Sequence, residues 1–563
     1  MSRYASRSTL VHCLLHWAET TPNAPYLTQP NADGSSYDIT WGQAADQARR
    51  LASHIKSLNL GEGASVGLLG RNSAHWIVAD VAIWMAGHVT VPLYPTLNGE
   101  SAAYILDHSD CKAIILGKMD GIADGWKDIE PHLPSLPMLS LPLSPRMDVP
   151  QYNDIIANTA PISDEDITLP HVDAMATIVY TSGSTGRPKG VMHSFGTMCS
   201  VANALRDTYK VTRDERMLSY LPLAHVAERA VVETASLYFG YRVFFADGLE
   251  TFQRDLQRAQ PTIFFSVPRL WTKFYLAINE KLPPSKQRIL FNIPFLNRLV
   301  KGKILKQLGL DKVRIAITAS APLPPNIMNW YHNLGLELLD VYGMSENFGY
   351  SHGSRPGEVR IGYVGHANPG VEQRIGDNGE VLVKSPGQMM GYYKAPDKTA
   401  EDMTDDCFLK TGDRGELDKE GRLKITGRVK ELFKTSKGKY VAPVPIEQKL
   451  NVHQKVEVIC VTGPTQPQPF ALFMLSLDAL KEIENGELSR DTLTNDFKDL
   501  LKSVNATLED HERLDYVVVV KDQWTIENGY LTPTMKIKRN IIEDSYLPQA
   551  DGWVARREQV IWE

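Results

Sequence analysis

Short β-branched runs alternating with helix-period segments predict an α/β protein. Its large N-terminal domain has several subdomains of layered, mostly parallel sheets and a small β-rich subdomain, and a small α+β domain follows. Three observations carry this. A chain of 563 residues exceeds what one hydrophobic core organises, so two or more domains are expected. Hydrophobic residues at 43% and charged residues at 22% are ordinary for globular chains, which excludes disorder along most of the length. The strand-then-helix order dominates the first three quarters of the sequence, interrupted by a change of character from residue 362.

Taken in order, the N-terminal apolar residues are broken by His12, His16 and Glu19 with no small-residue cleavage site, and they read as an amphipathic helix. A helical period spans 41–58, and strands are expected at 65–69 and 113–116. The most apolar stretch, 76–94, contains Asp80, Gly87, His88 and Pro92. Too short and broken to span a bilayer, it reads as a buried helix followed by a strand. Further strands are expected at 177–181, 218–221, 243–246, 262–267, 314–318 and 336–341, with a helix over 326–334. Such layering places ligands beyond the carboxyl ends of strands. From 362 to 427, Gly-rich turns separate strands at 381–384, 415–417 and 423–426, which describes the β-rich subdomain. Strands at 456–461, 471–475 and 516–520 then return to an α+β pattern, so the domains are set at 1–428 and 429–563.

A net charge of −6 gives no reason to expect a nucleic-acid partner. The five cysteines, Cys13, Cys111, Cys199, Cys407 and Cys460, form no CxxC pair, which fits reduced thiols in a cytoplasmic protein. Basic charge is concentrated locally. Between Lys281 and Arg314 nine Lys and Arg residues interleave with aliphatic and aromatic ones, and Asp311 is the only acid. This segment is either a solvated amphipathic helix pair or a peripheral membrane contact.

The strongest local signal is TIVYTSGSTGRPKG at 177–190. A buried strand runs into small hydroxyl residues and glycines, and Lys189 closes the loop. Gly183, Gly186 and Gly190 let the backbone approach an anion. Free N–H groups and the hydroxyls of Thr181, Ser182, Ser184 and Thr185 can surround phosphate oxygens. It is not a Walker A loop, because Gly190 rather than Ser or Thr follows the lysine. The competing reading, a flexible linker, fits poorly with a preceding buried strand and with Arg-Pro-Lys.

Residues 181–190 resemble the signature of the adenylate-forming (AMP-binding) superfamily, which contains acyl-CoA synthetases, luciferases and peptide-synthetase adenylation domains. Other motifs follow in that family's order. DVYGMSE at 340–346 resembles its YGxTE element. The resemblance implies that Asp340, Tyr342, Gly343 and Ser345 meet the nucleotide, with Tyr342 on adenine, and that Glu346 holds Mg²⁺ with Thr181. TASAPL at 318–323 resembles an element that puts Ser320 and Ala321 at the nucleotide, with Ala319 where Gly is frequent. TGD at 411–413 resembles the ribose clamp through Asp413; taken alone it is a turn tripeptide. TGRVK at 426–430 resembles the hinge motif, implying that Arg428 touches ribose or phosphate and that Lys430 is the pivot. Lys434 is carried over as a further nucleotide contact. YLTPTMKIKR at 530–539 resembles the catalytic-lysine motif, with Lys536 as the lysine and Arg539 closing it. Met535 stands where many relatives have Gly, which leaves Lys538 as a second candidate.

AHVAER at 224–229 is similar to long-chain fatty acyl-CoA synthetases, as are SVPRLW at 266–271 and KTSKGKYVAP at 434–443. His225 resembles the family's aromatic residue between carboxylate and thiol tunnel; a satisfied core histidine is the alternative. The resemblance implies activation of a carboxylic acid, a medium- to long-chain fatty acid, by ATP and Mg²⁺ to acyl-AMP, then transfer to coenzyme A as the C-terminal domain swings about Lys430. A ligase loading a carrier protein in trans, a luciferase-type oxygenase and a non-catalytic binding module share these motifs.

Overall fold

The computed structural model describes residues 4, 7–120, 125–181, 187–532 and 535–563. They form two compact units. The first comprises Met1–Ala321, Met328–Gln373 and Val383–Leu409, and the second Pro322–Ile327, Arg374–Leu382 and Lys410–Glu563.

In the first unit a seven-stranded sheet runs in the order Gly391–Tyr392, Lys189–Ser194, Met175–Thr181, Val89–Leu93, Ser65–Leu69, Cys111–Leu116, Met138–Ser140. The last five strands are parallel, and the first two are antiparallel to their neighbours. The helix Ala74–Met85 is buried on every side, which is why its sequence is apolar all round instead of striped. Ser73 caps it, its hydroxyl accepting from the Trp76 N–H at 3.2 Å. The apolar stretch is therefore a buried helix leading into the strand Val89–Leu93, as the sequence predicts. Among the described residues no helix is long and apolar enough to cross a membrane.

A second sheet pairs Ser36–Thr40, Pro25–Pro30, Arg242–Phe245 and Arg216–Ser219. The strand expected at 218–221 ends instead at Ser219. Its continuation is taken up by side chains: the Tyr220 N–H donates to Glu228 at 3.0 Å, and the Asn72 amide donates to the Leu221 carbonyl at 2.6 Å. A third group sets Ile263–Ser266, Ile315–Thr318 and Leu338–Tyr342 parallel, with Thr318 beside both Ser266 and Asp340. Adjacent strands thus deliver segments 319–321 and 342–346 at one end.

In the second unit Val456–Thr462, Phe470–Leu475, Val517–Val519 and Val560–Trp562 form a four-stranded sheet. Phe470–Leu475 is buried on both faces, and period-two alternation divides it cleanly. Ala471, Phe473 and Leu475 enter one core with Phe497 and Leu501, whereas Phe470, Leu472 and Met474 enter another with Trp524 and Trp553. The strands Leu409–Leu417 and Arg422–Arg428 pair antiparallel. Residues 411–413 accordingly lie within a strand, not in the turn that the tripeptide alone suggests. The Gly412 N–H donates to Glu380 at 2.8 Å and the Thr411 hydroxyl to the Val381 carbonyl at 2.7 Å, which holds the strand through the glycine. All five cysteines are free, four buried and Cys407 exposed.

Candidate active site

Thr181 ends a buried strand and lies opposite Lys189 in an antiparallel pair. Ser182, Gly183, Ser184, Thr185 and Gly186 lie outside the described residues. Gly190 is required for space: a Cβ there would fall 2.7 Å from Ile178 Cγ2 and 3.1 Å from Tyr180 Cζ. The Lys189 ammonium stands over the Tyr392 ring, 5.1 Å from its centroid.

The strand Leu338–Tyr342 leads into a tight turn at Ser345–Asn347. The Met344 N–H donates to Asn347 Oδ1 at 2.9 Å, and the Gly349 N–H returns to the Met344 carbonyl at 2.8 Å. Buried His193 pairs through Nε2 with the Ser345 carbonyl at 2.8 Å, and burial lowers its pKa to about 3, so the ring is neutral and donates. Glu346 leaves this turn toward Tyr392, whose hydroxyl lies 2.9 Å from Glu346 Oε1. Burial raises the Glu346 pKa, with Asp402 adding to it, while Tyr392 and Lys189 oppose the shift. Half-buried Tyr342 tilts against His352, ring centroids 6.0 Å apart. Asp340 is buried, and desolvation pushes its carboxyl up to about 8. At neutral pH it is thus mainly protonated, which suits a hydrogen-bonding residue better than a counter-charge.

Ser320 and Ala321 are exposed just past the strand Ile315–Thr318. Ser320 has φ of 75°, the left-handed region that a side chain enters at a cost of about 1–2 kcal/mol. This strain falls within the very element in which Ala319 replaces a common Gly. Half-buried His225 accepts through Nδ1 from the Ala227 N–H at 3.1 Å. A backbone donor at Nδ1 leaves no ambiguity, so a neutral His225 carries its proton on Nε2.

In the second unit Asp413 and Arg428 face each other across the ladder, and Arg428 Nε lies 3.2 Å from Asp413 Oδ1. Arg428 also approaches Glu431 at 3.7 Å. Lys536 belongs to the same cluster. Its side chain meets solvent, yet desolvation and then the Arg428 charge lower its pKa, against the pull of Asp413 and Glu431. Asp413 and Arg428 are therefore in contact, and Lys536 lies close enough to feel both of their charges. Lys430 is exposed in the short turn Val429–Glu431, and exposed Lys434 lies over the Tyr440 ring at 5.7 Å. Arg539 turns inward, Nη2 2.8 Å from Glu447 and Nη1 2.7 Å from the Val461 carbonyl. It anchors the loop that carries Lys536.

That loop is closed by paired hydrogen bonds: the Lys536 N–H donates to Thr532 Oγ1 at 3.1 Å, and the Thr532 N–H to the Lys536 carbonyl at 2.8 Å. Pro533 and Thr534 lie outside the described residues. Met535 has φ of 62°, a conformation that glycine adopts freely. Its side chain is exposed and contributes little packing. Met535→Gly will consequently leave thermal unfolding unchanged or raise stability by up to about 1 kcal/mol, and a loss larger than that would contradict the strain.

Residues 14–393 match the family described as AMP-binding enzyme, and residues 431–557 match the AMP-binding enzyme C-terminal domain. The chain belongs to the AMP-binding enzyme family. This AMP-binding enzyme is 30% identical over 585 residues to long chain acyl-CoA synthetase 6, peroxisomal, of Arabidopsis thaliana, covering 91% of this chain and 81% of the other. It is 29% identical over 555 residues to long-chain-fatty-acid–CoA ligase FadD15 of Mycobacterium bovis, covering 91% and 92%. The solved anthranilate CoA ligase AuaEII, in complex with anthranoyl-AMP, aligns with a TM-score of 0.78 at 21% identity, covering 96% and 98%. That likeness bears on fold, and the adenylate-forming fold is shared.

Two groups in this AMP-binding enzyme carry little or no signal in the linear sequence. Asn72 donates to Ser219 Oγ at 2.8 Å and to the Leu221 carbonyl at 2.6 Å, and its Oδ1 accepts from the Leu223 N–H at 3.0 Å. With Glu228 it shapes the segment leading to His225. Tyr392 is the other, and only its place in GYY after a glycine-rich turn could draw attention to it.

Proposed function

We propose that this AMP-binding enzyme activates a medium- to long-chain fatty acid with ATP and transfers the acyl group to coenzyme A. The observation that carries the activation step is the Asp413–Arg428–Lys536 cluster, an acceptor pair for ribose hydroxyls set beside two cations. A carboxylate oxygen attacks the α-phosphorus of ATP, the bond to the β-phosphate oxygen breaks, and pyrophosphate leaves. Negative charge on the phosphoryl oxygens grows during this displacement, so fixed cations supply most of the acceleration. Lys536 serves the carboxylate and α-phosphate, and Lys189 with the 181–186 hydroxyls serves the pyrophosphate. Thr181 and Glu346 fit Mg²⁺, which takes one carboxylate, hydroxyl and phosphate oxygens in preference to an all-protein cage; when bound it neutralises phosphate charge. Tyr342, Gly343, Ser320 and Ala321 border the adenine.

Thioester formation then breaks the acyl–phosphate C–O bond as sulfur bonds to carbon, releasing AMP. A thiolate and Lys536 cannot share one face of the adenylate, so the boundary at 428/429 is the hinge, with Lys430 turning residues 429–563 between the two steps. His225, the residue proposed to stand between the carboxylate and the thiol tunnel, carries its proton on Nε2 when neutral and cannot take the thiol proton at that nitrogen. The names of relatives similar over nine-tenths of this chain support the fatty acyl substrate and the coenzyme A acceptor. Pyrophosphate release across a panel of acids of graded length, with and without coenzyme A, tests the reading. Adenylate without thioester would direct attention to a carrier-protein thiol instead, and no turnover of any acid would leave a binding module.

The same reading includes peripheral contact with a membrane, where long acyl chains partition. The helices Pro284–Asn292 and Leu296–Leu308 expose Ile289 and Leu299, and Phe295 between them is 90% accessible, among Lys286, Arg288, Arg298 and Lys303. Not all of 281–314 takes part: Ile304 is buried, and Arg314 is bound to Glu215. Replacing Lys301, Lys303 and Lys306 by Glu should lower binding to phosphatidylserine vesicles at least about tenfold, since each cation contributes about 1 kcal/mol near an anionic surface. Unchanged co-sedimentation would remove the membrane from the account.

A further inference from the structure

We infer that Tyr392 is a positioning residue that holds the Glu346 carboxylate ready for a metal–nucleotide and passes its own hydrogen bond to Asp402 when Glu346 turns to its ligand. The inference rests on the proposed nucleotide site, which it makes more specific. Its first support is backbone. The segment 389–393 is laced to both halves of the site: the Met389 N–H donates to the Glu346 carbonyl at 2.8 Å, the Met390 N–H to the Met192 carbonyl at 2.9 Å, and the Tyr393 N–H to the Gly190 carbonyl at 2.8 Å. Tyr392 therefore sits where the strand leaving the phosphate loop meets the turn carrying Glu346, and its ring lies beneath Lys189.

The second support is the side-chain chain of contacts. Lys398 pairs with Asp402 Oδ1 at 2.7 Å, Asp402 Oδ2 lies 3.1 Å from the Tyr392 hydroxyl, and that hydroxyl lies 2.9 Å from Glu346 Oε1. The Tyr392 N–H is itself fixed on Thr399 Oγ1 at 2.9 Å. A phenol has one hydrogen, yet here two carboxylates lie within reach of it. One acceptor can leave without stranding the donor, because Asp402 is anchored by Lys398 and stays. Glu346 is thus oriented while its site awaits a cation, and releasing it costs no buried hydrogen bond. Preorganised carboxylates of this kind reduce the ordering that metal binding must impose.

The test compares the full-length enzyme with Tyr392→Phe, Asp402→Ala and the double variant. Mn²⁺ binding in the presence of a non-hydrolysable ATP analogue is read by electron paramagnetic resonance, and the Mg²⁺ dependence of pyrophosphate exchange is read alongside. Tyr392→Phe should weaken Mn²⁺ binding and raise half-saturating Mg²⁺ by about five- to tenfold, with the rate at saturating Mg²⁺ within about twofold. Asp402→Ala should shift the same quantities, and the double variant should do no more than the larger single one, because both act through Glu346. A Tyr392→Phe protein that folds normally and binds Mn²⁺ like wild type overturns the inference, as does a fall in maximal rate with unchanged metal dependence. Wild-type protein that binds no metal–nucleotide at all overturns the site reading itself, and with it this role.

Discussion

Replacing Lys536 with Ala will slow acid-dependent pyrophosphate exchange by about 10²–10³-fold, while thioester formation from supplied acyl-adenylate stays within about threefold of wild type. The asymmetry follows from where the charge is needed. Adenylation concentrates negative charge from two anions at one phosphorus, and Lys536, beside Asp413 and Arg428, is the cation proposed to meet it. Thioester formation starts from an adenylate already neutral at its acyl carbon, and its attacking group needs the face that Lys536 occupies. Equal loss of both half-reactions would refute the assignment. A pH profile sharpens the test. Lys536 acts only while protonated, and its pKa lies below the ordinary lysine value of 10.5, through desolvation first and the Arg428 charge second. Adenylation in wild type must then fall on the alkaline side at lower pH than an unperturbed lysine would allow, and thioester formation from supplied adenylate must lack that limb.

Much of this arrangement can be read along the chain, and the rest shows what a linear pattern conceals. Buried strands announce themselves as continuous apolar runs, so Ser65–Leu69 and Phe470–Leu475 are evident from their residues alone. Strand ends are less legible where side chains replace the ladder. Tyr220 and Leu221 belong by composition to the preceding strand, but Glu228 and Asn72, the latter about 150 positions earlier, take their hydrogen bonds. Residues 411–413 misread as a turn for a related reason: Glu380 and Val381 hold that glycine in a strand from a distant part of the chain. Candidate catalytic positions are legible through motif order, which points to residues proposed to touch ligand. It is silent about residues that hold those residues. Neither spacing nor composition connects Tyr392 and Asp402 to Glu346, or Asn72 and Glu228 to the segment that leads to His225. The basic segment shows a further limit. Charge composition spreads it over 281–314, but burial of Ile304 and the pairing of Arg314 confine its exposed face to the two helices around Phe295.

The second large effect is expected at Gly343, where even a methyl group has no room. A Cβ built there would lie 2.3 Å from both the carbonyl carbon and the oxygen of Gly349, and 2.8 Å from its Cα. These are backbone atoms of the same turn, held by the Gly349 N–H on the Met344 carbonyl, so no side chain can swing aside to relieve the contact. Gly343→Ala must push the turn open, at a cost of about 1–3 kcal/mol typical of overpacking. The displaced residues are those that flank it, Tyr342, Ser345 and Glu346, the proposed contacts of adenine, α-phosphate and Mg²⁺. A misplacement near 1 Å at a reacting centre reduces rate by about 10²-fold, so adenylation should fall by at least that much even in the fraction that stays folded. Gly552→Ala supplies the matched control: the same added methyl meets nothing within 4 Å, on the helix Ala550–Arg556. It should leave activity intact and add up to about 1 kcal/mol through helix propensity. Thermal unfolding and pyrophosphate exchange of the two variants decide the matter, and a Gly343→Ala enzyme with normal exchange would mean that the turn is not the rigid frame on which Glu346 depends.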